Sequence, residues 1–130
     1  KEIIEQGDRI VSEGAYNLKI LSRNTALANS KAYIYFLKIR FDDRYLYKIG
    51  ITRNTIEERA SSFEEIPRKN ISIVKFKTAK LIDCYNLEQE ILKIYKNNRF
   101  LEPSLKYTGG RTEILKLNES EVAQIISLLN

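Results

Sequence analysis

Two runs rich in aromatic and β-branched residues, AYIYFLKIRF from Ala32 and YLYKIGI from Tyr45, are separated only by Asp42, Asp43 and Arg44. Such runs suit pleated strands, and consecutive strands with a short connection usually pair with each other. An antiparallel hairpin turning at FDDR is therefore expected, and it limits what the remaining segments can do: they must cover a sheet. Side chains two apart in a strand share a face. Tyr33 and Tyr35 then point together, and Lys48 and Gly50 point together, away from Tyr47 and Ile49. Gly50 marks a place where the backbone bends sharply or something approaches it closely.

The following segments supply the cover. Thr55 and Glu58 form the S/T-x-x-E capping box, so a helix starts there and runs through about Ser62, with Ile56, Ala60 and Phe63 turned inward. ISIVKFKTA (71–79) alternates as a half-buried third strand does. Asp83 is placed to cap a longer helix carrying Leu87, Ile91 and Ile94, with Leu92 and Tyr95 at its flanks. Gly109 and Gly110 turn the chain, RTEILKL reads as a short strand, and residues 119–129 make a closing amphipathic helix. Ahead of the hairpin, Ile3, Ile4, Ile10 and Val11 recur at helical spacing, and SRNTALANSK (22–31) has the polar, small-residue texture of a connection. The expected organisation is an N-terminal helical arm or linker over residues 1–30 and one domain over 31–130. The fold class is α+β, with helices on an antiparallel sheet. At 130 residues, with eight tyrosines and five phenylalanines, the chain has material for one modest core.

Composition removes several kinds of chemistry. Cys84 is the only cysteine and there is no histidine, which excludes a disulfide framework, a Cys/His zinc site and any His-based triad. What remains is carboxylate, Tyr, Lys, Arg, Ser and Thr, with a hard, oxygen-seeking metal if any. A formal charge of +5 and a pI near 9.3 favour polyanionic partners, nucleic acid first, although a lysine-rich solvent surface gives the same balance. The apolar stretches are too short to cross a bilayer and no signal-peptide core is evident, so no membrane partner and a cytoplasmic setting are expected. A chain that begins at Lys1 and contains no methionine reads as a fragment or a processed product.

Four polar residues run against the grain of these elements. Lys48 lies inside an apolar strand, on the face it shares with Gly50; if the hairpin pairs as expected, it comes near one of the tyrosines. A cation beside a phenol favours the phenolate, a proton acceptor; a lysine snorkelling from a strand edge is the ordinary alternative. Arg59 sits on the shoulder of the Ile56/Ala60/Phe63 stripe, where the helix meets the sheet, and no acidic residue stands three or four positions away. A phosphate would supply the missing charge. Glu90 has Lys93 at i+3, but Glu88 has Cys84 and Tyr85 behind it and Ile91 and Leu92 ahead. A carboxylate on so apolar a shoulder calls for a compensating ion or donor: Mg²⁺, or a distant lysine in a tertiary salt bridge.

The ordered set of Tyr35 in AYIY, KIG at 48–50, Arg59 and Glu88 resembles the GIY-YIG nuclease superfamily, in particular the phage-type and restriction-type branch in which KIG replaces YIG. The similarity covers roughly residues 32 to 117, and GGRTEIL (109–115) resembles an ending common in that branch. Tyr33 stands where the family has the glycine of its first motif. Lys48 stands where it has the tyrosine of its second, and Ile51 where a polar residue often follows the glycine. The resemblance implies a small three-stranded antiparallel sheet flanked by helices and Mg²⁺-dependent hydrolysis of DNA phosphodiesters, with Mn²⁺ as a possible substitute. It implies Tyr35 as general base, Lys48 orienting the base or the water, Arg59 on the phosphate oxygens and Glu88 as the metal ligand. Lys38, Arg53, Lys106 and Arg111 are candidate contacts to the nucleic-acid backbone, which give affinity rather than sequence choice. Target choice is expected from a further domain or subunit outside this chain, in a mobile-element, restriction or antiphage setting. Two alternatives stay open: a non-catalytic nucleic-acid or protein-interaction module of the same fold, and a nuclease acting on RNA or branched DNA.

Overall fold

A computed structural model describes residues 18–63, 66–100 and 114–130. Two short helices, α1 (Leu18–Arg23) and α2 (Thr25–Ala28), precede the expected hairpin of β1 (Lys31–Phe41) and β2 (Arg44–Thr52). Asp42 and Asp43 both take positive φ, 56° and 63°. This left-handed pair matches the right-handed twist of the strands, and a short polar side chain tolerates it better than a bulky one. Helix α3 (Ile56–Ala60) follows, then a 3₁₀ turn (Arg68–Asn70), β3 (Ile71–Lys80), α4 (Leu81–Ile94), a second 3₁₀ turn (Lys96–Asn98), β4 (Ile114–Leu115) and α5 (Glu119–Leu128). The remainder of the expected arm, residues 1–17, lies outside the described residues, as does the Gly109–Gly110 turn.

The sheet has four strands in the order β3-β1-β2-β4, every neighbouring pair antiparallel. This corrects the three strands implied by resemblance. The fourth is the pair Ile114–Leu115, which lies opposite Lys48 and Tyr47 on the outer edge of β2. So short a strand carries little periodicity of its own, and its place is decided by the partner edge.

Alternation along the central hairpin divides the apolar side chains between two layers. Ile34 and Phe36 of β1 and Tyr47, Ile49 and Ile51 of β2 pack with Leu81, Cys84, Ile91, Leu92 and Tyr95 of the α4 segment, together with residues of α1, α2 and α5. Tyr35, Leu37 and Ile39 of β1 and Leu46 of β2 pack on the other face with Ile56 and Ala60 from α3, with Phe63 just after it, and with Ile71 and Ile114. A central strand with both faces covered has a nearly continuous apolar sequence, which explains the texture of AYIYFL.

Two elements depart from expectation. Helix α4 begins at Leu81, directly after β3, so Lys80 is its N-cap and Asp83 lies in its first turn, where a carboxylate complements the helix dipole. Its buried stripe is Leu81, Cys84, Glu88, Ile91 and Leu92, continued by Tyr95, while Ile94 is 55% exposed. Tyr95 takes the inward place because its ring joins the core and its hydroxyl donates to Gln124 Oε1. Strand β3 is more exposed than a half-buried strand: Ile71 alone is buried, because β3 is the outer strand beyond β1. Its register against β1 slips between Phe36 and Leu37, an irregularity characteristic of sheet edges.

Candidate active site

The hairpin register places Tyr35 opposite Gly50 and Leu37 opposite Lys48. Tyr35, Gly50 and Lys48 therefore share the sheet face covered by α3, as the two-residue periodicity of the strands predicts. The Tyr35 ring lies across Gly50 so closely that a Cβ at position 50 would overlap its hydroxyl and ring carbons. Gly50 thus leaves the space that a buried phenol fills. Lys48 is 0% exposed, on the same face of β2, two residues from Gly50.

Arg59 arrives from α3. That helix is only one turn and a half long, and its entry is fixed by a reciprocal cap: Thr55 Oγ1 accepts from the Glu58 amide, and Glu58 Oε1 accepts from the Thr55 amide. On the far side Arg68 holds Glu57 by two hydrogen bonds, at 2.7 and 2.8 Å, and donates to the Ile71 carbonyl, tying α3 to the start of β3. The Arg68 guanidinium, with help from the Ser61 hydroxyl, holds the Glu57 carboxyl below its usual range. Ile56, Ala60 and Phe63 are buried as expected. Arg59 Nε then donates to the Tyr35 hydroxyl at 3.2 Å, and its Nη1 donates to Ser62 Oγ. Because Arg59 is the donor, the Tyr35 oxygen is the acceptor in this pair.

Glu88 enters from the other layer. Its helix neighbours Cys84, Ile91 and Leu92 belong to the core beneath α4, its side chain is 2% exposed, and Oε1 accepts a 3.4 Å contact from Gln89 Nε2. The structure thus brings Tyr35, Lys48 and Arg59 to one face and delivers Glu88 from the opposite helix layer. Strand β4 pairs only with Tyr47 and Lys48, so among the described residues the outer edge of β2 from Ile49 to Thr52 has no ladder partner. That stretch of β2, Gly50 included, is nonetheless buried.

Among the described residues no group of three or more His, Cys, Asp and Glu side chains gathers to form a protein cage for a metal. The donor set fits a hard cation of another habit, one that takes a single carboxylate and completes its shell with water and substrate phosphate. Glu88 is the buried carboxylate that would supply such an oxygen.

The proposed backbone contacts are scattered. Arg53 is exposed in the connection between β2 and α3. Lys38 alternates onto the α4 side of β1, opposite Tyr47, and its Nζ lies 4.1 Å from the centroid of the Tyr45 ring, so it is not on the Tyr35 face. Lys106 and Arg111 lie outside the described residues. Reading the sequence did not single out Phe76. It stands opposite Tyr35 on the β3 side and is 51% exposed; the pairing register was the information missing.

No helix among the described residues is long and apolar enough to cross a membrane. No curated protein and no solved structure matches the chain. The family model for the T5orf172 domain, a phage-associated domain related to nuclease-like, GIY-YIG-type folds, matches residues 32–130. That span takes in the whole hairpin, the Arg59 helix, β3 and the Glu88 helix, and the chain belongs to the T5orf172 domain family.

Proposed function

We propose that this chain is a divalent-metal-dependent nuclease that hydrolyses DNA phosphodiesters on the sheet face between Tyr35, Lys48 and Arg59. The observation that carries the reading is the Arg59–Tyr35 hydrogen bond beside Gly50. A buried phenol is held against a guanidinium, on the same face as a buried lysine, in a family with phage and nucleic-acid associations.

The chain's own residues divide the work. Arg59 presents its guanidinium to the nonbridging oxygens of the scissile phosphate, where negative charge rises as water adds. Tyr35 is the general base for the attacking water; the water oxygen bonds to phosphorus and the P–O3′ bond breaks. Lys48, buried on the same sheet face, orients the base or the water. Glu88, from the α4 layer, would be the carboxylate that holds Mg²⁺ or Mn²⁺. Bound there, the ion would supply positive charge to offset that on the phosphate and the departing oxygen.

The test is supercoiled plasmid incubated with the protein and Mg²⁺, beside Glu88→Gln and Tyr35→Phe. Expected are nicking or cutting by the wild type and a loss of about a hundredfold or more in each variant. Binding of Mn²⁺, followed by its paramagnetic resonance signal in the presence of DNA, should weaken in Glu88→Gln while DNA binding in EDTA persists. The entry of Glu88 from the second helix layer favours one competing reading, a binding module of this fold that does not cut. Equal residual nicking by all three proteins would establish that reading instead.

A further inference from the structure

Beyond Tyr35, the same sheet face continues across β1 onto β3, where the described residues leave it open. Along β1 it carries Lys31, Tyr33 and Tyr35; along β3, in register with them, Lys80, Thr78 and Phe76. The Tyr33 and Phe76 rings meet edge to face, with centroids 6.2 Å apart and planes at 70°. Phe76 is 51% exposed, and Ile73, farther along β3, is also exposed. Lys31 Nζ lies 5.5 Å from the Tyr33 centroid.

Two features of this ridge are costly for a surface that meets only water. A phenylalanine on an edge strand, in line with a second ring and an exposed isoleucine, invites association. Lys31 and Lys80 stand directly opposite each other, and like charges in that position destabilise a sheet. Both lysines are exposed, and among the described residues neither has an acidic partner. A partner with a flat apolar face and an anionic backbone offsets both costs at once. A nucleotide strand has that chemistry: bases stack on aromatic rings, and phosphates lie between lysines.

Building on the nuclease reading above, we infer that the Tyr33–Phe76 ridge is a stacking platform for an unpaired base next to the scissile phosphate, flanked by the Lys31–Lys80 pair on the neighbouring phosphate. The preferred substrate class is then nucleic acid with unstacked nucleotides at the cut, namely a single strand, a flap or a bulge, rather than a continuous duplex. Adjacent strands lie about 4.8 Å apart, so a base seated on Phe76 is one strand-spacing from Tyr35, which faces it in the ladder. Bases in an intact duplex are stacked on one another and have no free face to give; a flipped or unpaired base does.

Binding is measured without divalent metal, in EDTA, so that it is independent of cleavage. The probes are a 20-nucleotide single strand carrying 2-aminopurine and the matching duplex. Wild type should quench the 2-aminopurine signal and bind the single strand more tightly. Phe76→Ala should abolish the quench and weaken single-strand binding by roughly 5- to 100-fold, the range for loss of one base–aromatic stack, while duplex binding changes less than about twofold. Phe76→Tyr, which keeps a ring, should retain the quench, and Ile94→Ala, an exposed apolar residue on α4, should behave as wild type. Cooperative urea unfolding of each variant confirms the fold. If Phe76→Ala binds both probes as wild type does, or loses both equally, the platform is wrong. A wild type that shows the Phe76-dependent quench yet cuts nothing with Mg²⁺ refutes the nuclease reading and leaves the platform standing. Cleavage that is indifferent to Phe76 does the reverse.

Discussion

Tyr35 and Gly50 face each other across the β1–β2 ladder, and the phenol of the first occupies the volume that any side chain on the second would need. The hydroxyl so placed accepts from Arg59. The glycine therefore serves the position of a neighbouring side chain, and its own backbone shows no left-handed φ.

Gly50→Ala follows from this directly. The overlap is with a ring held in a core and not with the free end of a flexible side chain, so the ring must move and the Arg59 contact must stretch. The expected cost is about 1–3 kcal/mol, the usual scale for overpacking, read as a lower urea midpoint with unchanged slope. DNA cleavage should fall at the same time. An alanine variant as stable and as active as wild type would mean that the ring has another place to go.

Tyr35→Phe separates packing from chemistry. The ring stays and one hydroxyl leaves, so stability should change by about 1 kcal/mol or less, whereas a general base is worth roughly 10²–10⁴ in rate. Thermal melts and single-turnover cleavage on the same preparation measure the two. Full activity in the phenylalanine variant would remove Tyr35 from the mechanism.

Thr55→Ala acts at a distance. Helix α3 is short, so the capping box is a large part of what holds it. Loss of the cap costs about 1 kcal/mol and loosens the turn that carries Arg59. Cleavage should fall further than stability alone accounts for, and Thr55→Ser should restore both. Equal activity in the alanine and serine variants would show that the Arg59 position does not depend on the cap.

Cys84 gives a pH signature of the core under α4. Burial, reinforced by Asp83 and Glu88 nearby, pushes its thiol up to about 11 from an ordinary 9.0. A group that binds its proton more tightly when folded contributes stability in full below its unfolded pKa and loses it as pH rises toward the folded value. Stability should therefore decline between about pH 9 and 11, by an amount on the order of 2 kcal/mol at full titration. The decline should be absent from Cys84→Ala, so the difference between wild type and that variant isolates it. Iodoacetamide at pH 8 should label the native protein only at the rate of unfolding; prompt labelling without denaturant would contradict the buried placement.

Local periodicity carried most of the hairpin and α3. Alternation in AYIYFLKIRF and YLYKIGI, the turn between them and the Thr55/Glu58 cap are short-range patterns with short-range causes, and they were enough to put Lys48 and Gly50 on one face and to turn Ile56, Ala60 and Phe63 inward. The burial of Glu88 was legible too, from the apolar residues one turn to either side of it. The direction of the α4 stripe toward Tyr95, the start of that helix at Leu81 and the fourth strand were not, because each depends on what the segment packs against.

By itself, then, the sequence determined which side chains share a strand face or a helix face, since those periods belong to the backbone and need no partner. Only the tertiary structure decided that Arg59 meets Tyr35, that Phe76 lies beside Tyr35 on the β3 side of β1, and that Glu88 and Lys38 come from the other face of the sheet. Register and layer are properties of pairs of segments distant in the chain, set by which buried surfaces fit together, and no single segment carries them.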